Sequence, residues 1–163
     1  MDRAQFIRYV ESSQKGLRRF LTALCCGDRM LADDIAQDSL VKAYLACDSF
    51  DDERNFSAWI HKIAYNTFVT RWRRDRKFED LQCLENTVAV TDADNSFEYQ
   101  ELYAALDKLS DKERSATLLH YMEGYSAPEI AEITGTSPEA VRQQLSRARQ
   151  HLRQLLKNKE SDG

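Results

Sequence analysis

Residues 126–156 constrain the fold more tightly than any other stretch of this chain. Ser126-Ala-Pro-Glu129 is a capping box, in which the serine accepts from a backbone N–H three residues on and the glutamate reaches back. Pro128 stands in the first helical turn, where its missing amide costs no hydrogen bond. Gly135 then follows a periodic run as a helix stop does, and Ser137-Pro138 opens another helix. The spacing predicts a short helix over 127–134, a tight turn at Gly135-Thr136-Ser137 and a long helix over 138–156, which is the helix-turn-helix pattern. A second Ser-x-x-Glu box at Ser110-Asp-Lys-Glu113, with Gly124 after the next run, predicts helices over 98–108 and 111–122. Five glycines and two prolines leave little material for the turns of a sandwich or barrel, so the expected fold is all-α.

The first half reads the same way. At 100° per residue, Ile35, Ala36, Leu40, Ala43, Tyr44 and Cys47 share one arc of a helix over 29–47, while Asp34, Asp38 and Lys42 share another flank. A helix over 56–74 turns Phe56, Trp59, Ile60, Ile63, Ala64 and Thr67 inward. Its outward stripe carries Lys62, Asn66 and Arg73 and ends in the basic run Arg71-Trp-Arg-Arg-Asp-Arg-Lys77. Two shorter helices, near 3–13 and 15–26, complete this part.

The net charge of −4 conceals a segregation. Residues 1–78 hold 14 basic and 11 acidic side chains, and residues 138–157 hold five basic side chains against Glu139 alone. Between them, residues 79–97 hold five acids and no base. That stretch lacks helical periodicity around Thr87–Ser96 and reads as a flexible acidic linker. Two small helical domains follow, 1–78 and 98–163.

The long helix sorts its residues into a buried stripe, Val141, Leu145, Ala148, Leu152, Leu155 and Leu156, and a polar face. That face shows Arg142, Gln143, Ser146, Arg147, Arg149, Gln150 and Arg153. Arginine and glutamine make bidentate bonds to guanine and adenine in the major groove, and flanking arginines hold phosphates. With the preceding short helix and turn, this face is expected to bind DNA. In the first domain, aromatics interleaved with bases suit single-stranded nucleic acid, because rings stack on bases while cations track phosphates. Phe50 lies in the Asp48-Ser-Phe-Asp-Asp-Glu53 loop, where a ring is expected to have less packing to fill.

Taken as an ordered pair, the two domains resemble a bacterial RNA polymerase sigma factor of the extracytoplasmic-function, sigma-70-like group. Ala32-Asp-Asp-Ile-Ala-Gln-Asp-Ser-Leu-Val-Lys-Ala-Tyr44 resembles the helix with which that family grips the polymerase clamp. Asp48-Ser-Phe50 with Phe56-Ser-Ala-Trp-Ile-His-Lys-Ile-Ala-Tyr-Asn66 resembles its minus-ten segment, and Ser126 to Leu152 its minus-thirty-five reader. The resemblance implies core RNA polymerase, promoter DNA and an anti-sigma factor as partners, no cofactor, and no covalent chemistry. It implies polymerase docking by Asp34, Gln37, Asp38 and Lys42. Minus-ten recognition and melting would fall to Phe50, Lys62, Asn66, Arg71 and Arg73, and minus-thirty-five recognition to Arg142, Gln143, Ser146, Arg147 and Arg149. Two departures stand out: Leu40 where the family often has phenylalanine, and Ser146 where some relatives carry an aromatic.

Other classes fit less well. The longest apolar stretch, around Leu21 to Cys26, falls far short of the ~20 residues of a membrane span, and no secretory signal is visible. Together with the resemblance, this makes the cytoplasm of a bacterium the expected location, without membrane insertion. Cys25, Cys26, Cys47 and Cys83 form no CxxC pair, and His61, His120 and His151 have no metal-ligand spacing. Cys25-Cys26 reads as two small buried hydrophobes. Asp33, Asp34 and Asp38 are carboxylates of the kind that hold Mg²⁺, but no glycine loop or second acidic cluster accompanies them. The remaining rival is a stand-alone helix-turn-helix regulator that binds duplex DNA without polymerase.

Overall fold

The computed structural model describes residues 1–79 and 97–161, with side chains for 1–74 and 100–157. The linker expected over 79–97 lies outside the described residues apart from its two ends, as does Cys83. The chain divides into two compact units, Met1–Val90 and Thr91–Gly163. Every regular element among the described residues is helical.

The first unit is a three-helix bundle. α1 (Arg3–Leu24) is capped by Asp2, whose carboxylate accepts from the Gln5 N–H at 2.8 Å. It is one helix, where two were expected. Ser12, Ser13 and Gly16 are poor helix formers, but Phe6, Leu17, Phe20, Leu21 and Leu24 stay in phase across them and are all buried. Packing of that arc outweighs roughly 1 kcal/mol of glycine cost. The helix ends where Cys26 (φ 55°) and Gly27 (φ 92°) turn left-handed, and the Gly27 N–H donates to the Thr22 carbonyl at 2.9 Å. Cys25 is buried, whereas Cys26 is only half-buried at this turn.

Asp28 caps α2 (Arg29–Ala46). Its inner face is made of Ala32, Ile35, Ala36, Ser39 and Ala43. Apart from Ile35 these are small residues, and the helix packs with this face against both α1 and α3 (Phe56–Glu79). Tyr44, expected inside, stands exposed beside Phe6 and under the Arg3 guanidinium. A 3-10 turn, Cys47–Ser49, leads to Phe50 and the loop before α3. From α3, Phe56, Ile60, His61, Ala64, Tyr65, Thr67 and Phe68 are buried.

The second unit holds α4 (Phe97–Asp107), α5 (Asp111–Thr117), a π-helical turn (Leu118–Met122), α6 (Ala127–Thr134) and α7 (Pro138–Ser161). Arg114 is wholly buried, a position the charge pattern did not suggest. Its guanidinium donates to the Leu106 and Leu109 carbonyls and pairs with Asp111 at 3.0 Å, closing the end of α4. At Ser110 the hydroxyl accepts from the Glu113 N–H, while the Glu113 carboxylate meets the Ser110 hydroxyl and, at 2.7 Å, His151 Nδ1 on α7. The box at Ser126 is complete: hydroxyl to the Glu129 N–H, and Glu129 carboxylate to the Ser126 N–H at 3.0 Å. Gly135 follows with φ 69°, and Ser137 caps α7 by accepting from the Ala140 N–H.

Candidate nucleic-acid and docking surfaces

The second helix of the helix-turn-helix presents its face as the pattern requires. Val141, Leu145 and Ala148 are buried against α5 and α6, so Arg142, Gln143, Ser146 and Arg147 stand exposed on the N-terminal turns of α7. The left-handed residue at Gly135 lets the chain reverse between α6 and α7 without steric cost. Arg149 and Arg153 are exposed farther along, and the Arg149 guanidinium donates to the Tyr121 hydroxyl at 3.1 Å. The expected stripe gives out toward the C-terminus: Leu152 and Leu155 are half-buried and Leu156 is exposed. Among the described residues, no element beyond α5 and α6 packs closely on α7, so its later turns have less to bury against.

On α3, Lys62, Asn66 and Arg73 are exposed along one outward line, with Thr70 between them. Phe50 differs from its expectation. It is 7% exposed, its ring centroid 4.8 Å from that of Trp59 and 5.8 Å from that of Phe56. The loop is short, so the ring folds back onto the first turn of α3 and becomes part of an aromatic cluster with Phe6 and Tyr9.

Arg71 also departs from its expected place among the promoter contacts. It faces α2, where its guanidinium lies 3.1 Å from Asp38 and 3.7 Å from Asp34, with its side chain 27% exposed. The helical spacing that points Lys62 and Asn66 outward turns position 71 toward the neighbouring helix. Lys42 reaches across the same seam to donate to the Thr67 hydroxyl at 3.1 Å. Asp33 is held by Arg18 at 2.9 Å. The three carboxylates are thus drawn to arginines on two different helices, and among the described residues no three His, Cys, Asp or Glu side chains gather as metal ligands do.

One feature of α2 escaped the sequence pattern. Met30 (79% exposed), Val41 (59%) and Leu45 (77%) lie on the outward arc together with Asp34, Gln37 and Asp38. An apolar strip flanked by carboxylates on a solvent-facing helix is the anatomy of a protein interface. The signal was present at the i, i+4 pair Val41 and Leu45, out of phase with the buried arc.

Residues 9–78 match the family model for sigma-70 region 2, and residues 99–152 the one for sigma-70 region 4. The chain is 32% identical over 154 residues to the ECF RNA polymerase sigma factor EcfG of Rhodopseudomonas palustris, covering 86% of this chain and 78% of that one. The chain belongs to the ECF group of RNA polymerase sigma factors. The ECF RNA polymerase sigma factor SigW of Bacillus subtilis is also 32% identical, over 78% of this sigma factor and 76% of its own length. Among solved structures, the sigma factor RpoE of Bartonella quintana, in complex with the anti-sigma factor NepR, superposes with a TM-score of 0.81. It is 30% identical, covering 94% of this chain and 97% of its own. CnrH in complex with the cytosolic domain of CnrY gives a TM-score of 0.73 at 27% identity, over 96% of this chain and 90% of that one.

Membership settles the broad activity: a sigma factor acts in transcription initiation with core RNA polymerase and promoter DNA, and the family is not a known catalytic one. Among the described residues of this sigma factor, no helix is long and apolar enough to cross a membrane.

Proposed function

We propose that this sigma factor divides its work among three helical surfaces. α2 docks on core polymerase through Asp34, Gln37, Asp38 and Lys42 and the apolar strip Met30, Val41 and Leu45. α3 and the preceding loop, within residues 1–78, capture and open the minus-ten element. α7, within residues 98–163, reads the minus-thirty-five element through Arg142, Gln143, Ser146 and Arg147, with Arg149 on the phosphates. The observation that carries this reading is the exposed Arg-Gln-Ser-Arg face of α7, turned outward by a buried Val141–Leu145–Ala148 seam. Its residue types are those that bond base edges.

Within the minus-ten surface, Asn66, Lys62 and Arg73 are the groups that meet the opened strand. Phe50 supports them from beneath by packing on Trp59. An extruded base stacked against the surrounding aromatics gains about 1–3 kcal/mol, offsetting part of the unpairing cost. Arg71 holds the docking carboxylates in place instead of contacting DNA. No step forms or breaks a covalent bond, so the protein is not an enzyme in this reading. It works in the bacterial cytoplasm, and it is held in check by an anti-sigma factor, as the solved complex of the Bartonella relative suggests.

Core polymerase binding by a Val41→Asp/Leu45→Asp variant tests the docking surface. Both side chains are exposed, so circular dichroism and the melting temperature should hold. Placing carboxylates where two aliphatic side chains are buried on docking should weaken the complex at least about tenfold. Undiminished holoenzyme assembly would remove α2 as the docking helix.

A further inference from the structure

The π-helical turn Leu118–Met122 carries a group that is not among the promoter-reading residues proposed above. Tyr121 stands 59% exposed on this turn, yet its hydroxyl is engaged by the Arg149 guanidinium of α7 at 3.1 Å. The ring is braced from behind. His120 meets it edge-on with centroids 4.8 Å apart, and His120 Nδ1 donates to the Tyr125 carbonyl at 2.9 Å. The wider π turn changes which way its side chains point relative to a continuous α-helix, and single π turns often mark functional positions.

Arg149 lies two turns after Arg142, on the flank of α7 that borders the buried seam. A free arginine in that place samples many rotamers and loses that freedom on meeting a phosphate. A hydroxyl acceptor that holds the fork beforehand reduces this cost. The phenol takes up only part of the donor set, since a guanidinium has five N–H groups, and leaves the others to a phosphate oxygen.

We propose that Tyr121 is a positioning residue for promoter binding: its hydroxyl sets the Arg149 guanidinium in the orientation that grips the DNA backbone beside the minus-thirty-five element. This rests on the reading that Arg149 contacts DNA, and it assigns to Tyr121 no direct contact of its own. The braced pair accordingly fixes register for every promoter alike and carries no sequence information.

Holoenzyme, made from core polymerase and the full chain, provides the test on a promoter it selects from fragmented genomic DNA. Affinities are compared for the wild type, Tyr121→Phe, Arg149→Ala and the double variant, each over a range of salt. Tyr121→Phe keeps the ring and should leave the thermal melt unchanged. It should lower affinity about three- to tenfold for all minus-thirty-five variants. In the Arg149→Ala background the same change should have no further effect. Salt separates positioning from charge: Arg149→Ala should reduce the slope of log affinity against log salt by about one, whereas Tyr121→Phe should leave it intact. A loss from Tyr121→Phe that persists without Arg149 would mean that the tyrosine touches DNA itself, and the proposal would fall. It would equally fall if Tyr121→Phe were silent while Arg149→Ala weakened binding. If Arg149→Ala itself were silent, the DNA role of Arg149 would fail first, and the positioning role with it.

Discussion

Asn66 and Phe50 carry different burdens, although both belong to the proposed minus-ten surface. Phe50 is buried against Trp59 and Phe56, so Phe50→Ala should cost about 3–5 kcal/mol of folding stability before any promoter is met. Thermal melting of the free protein would show it as a large fall in midpoint. Asn66 is exposed, and Asn66→Ala should leave that midpoint in place while making open complexes scarce. Permanganate reactivity of unpaired thymines would report the defect, and a template with a pre-opened bubble should restore part of it. Equal reactivity for wild type and variant would take Asn66 out of melting. His61 makes a separate prediction about pH. Burial lowers its pKa below 6.5, an effect opposed in part by the Ser57 carbonyl that accepts from Nδ1 at 2.7 Å. The unfolded chain therefore binds this proton at a higher pH than the folded one. The contribution to stability is whole above about pH 6.5 and is lost as pH falls from there toward the folded pKa. His61→Gln should flatten that part of the stability curve, and melts at about pH 5.5 and 7.5 would reveal an unchanged slope if the assignment is wrong.

At the scale of elements, the turn between α6 and α7 sets the geometry of the proposed reading face. A Cβ at Gly135 would meet open space, so the cost of Gly135→Ala comes from φ 69° alone and should be about 1 kcal/mol. Gly135→Asn should recover part of it, because asparagine tolerates this region; denaturant midpoints would rank glycine, asparagine and alanine in that order. On α7 itself, Arg147→Ala should reorder the preferred minus-thirty-five sequences in a library selection, at about 1–3 kcal/mol for one base pair. Arg153→Ala should scale all sequences down together. If Arg147→Ala lowers every variant by one factor, that residue is not reading bases. The caps and stops of the second unit were legible because each rests on local chemistry: Ser126 with Glu129, Gly135, Ser137-Pro138. The single α1 was not, because what carries the helix through Gly16 is the packing of Leu17 and Phe20 on other elements. The same limit hid Phe50, whose partners come from the next helix, and Arg71, whose two carboxylates lie more than thirty residues away. The π turn at Leu118–Met122 left no periodic trace, since it displaces the helical phase by a single residue within a run that reads as α.

For the whole molecule, the proposed docking carboxylates on α2 and the proposed promoter helix α3 are linked through Arg71. Reversing Asp34 and Asp38 to arginine would set two like charges beside that guanidinium as well as altering the docking face, so α2–α3 packing and polymerase affinity would change together. Exposed pairs of this kind contribute about 0.2–1 kcal/mol each, so the fold should survive the change. The decisive distinction is dependence on polymerase. A stand-alone regulator would bind its sites without help, whereas a sigma factor finds promoters as part of holoenzyme. Fragmented genomic DNA transcribed in vitro by purified bacterial core polymerase, with and without this protein, measures that directly. New initiation sites should appear only when the protein is added, all sharing two sequence boxes at a fixed spacing, and the free protein should bind those fragments weakly. Tight, specific binding by the free protein with no new initiation in the presence of core polymerase would contradict it.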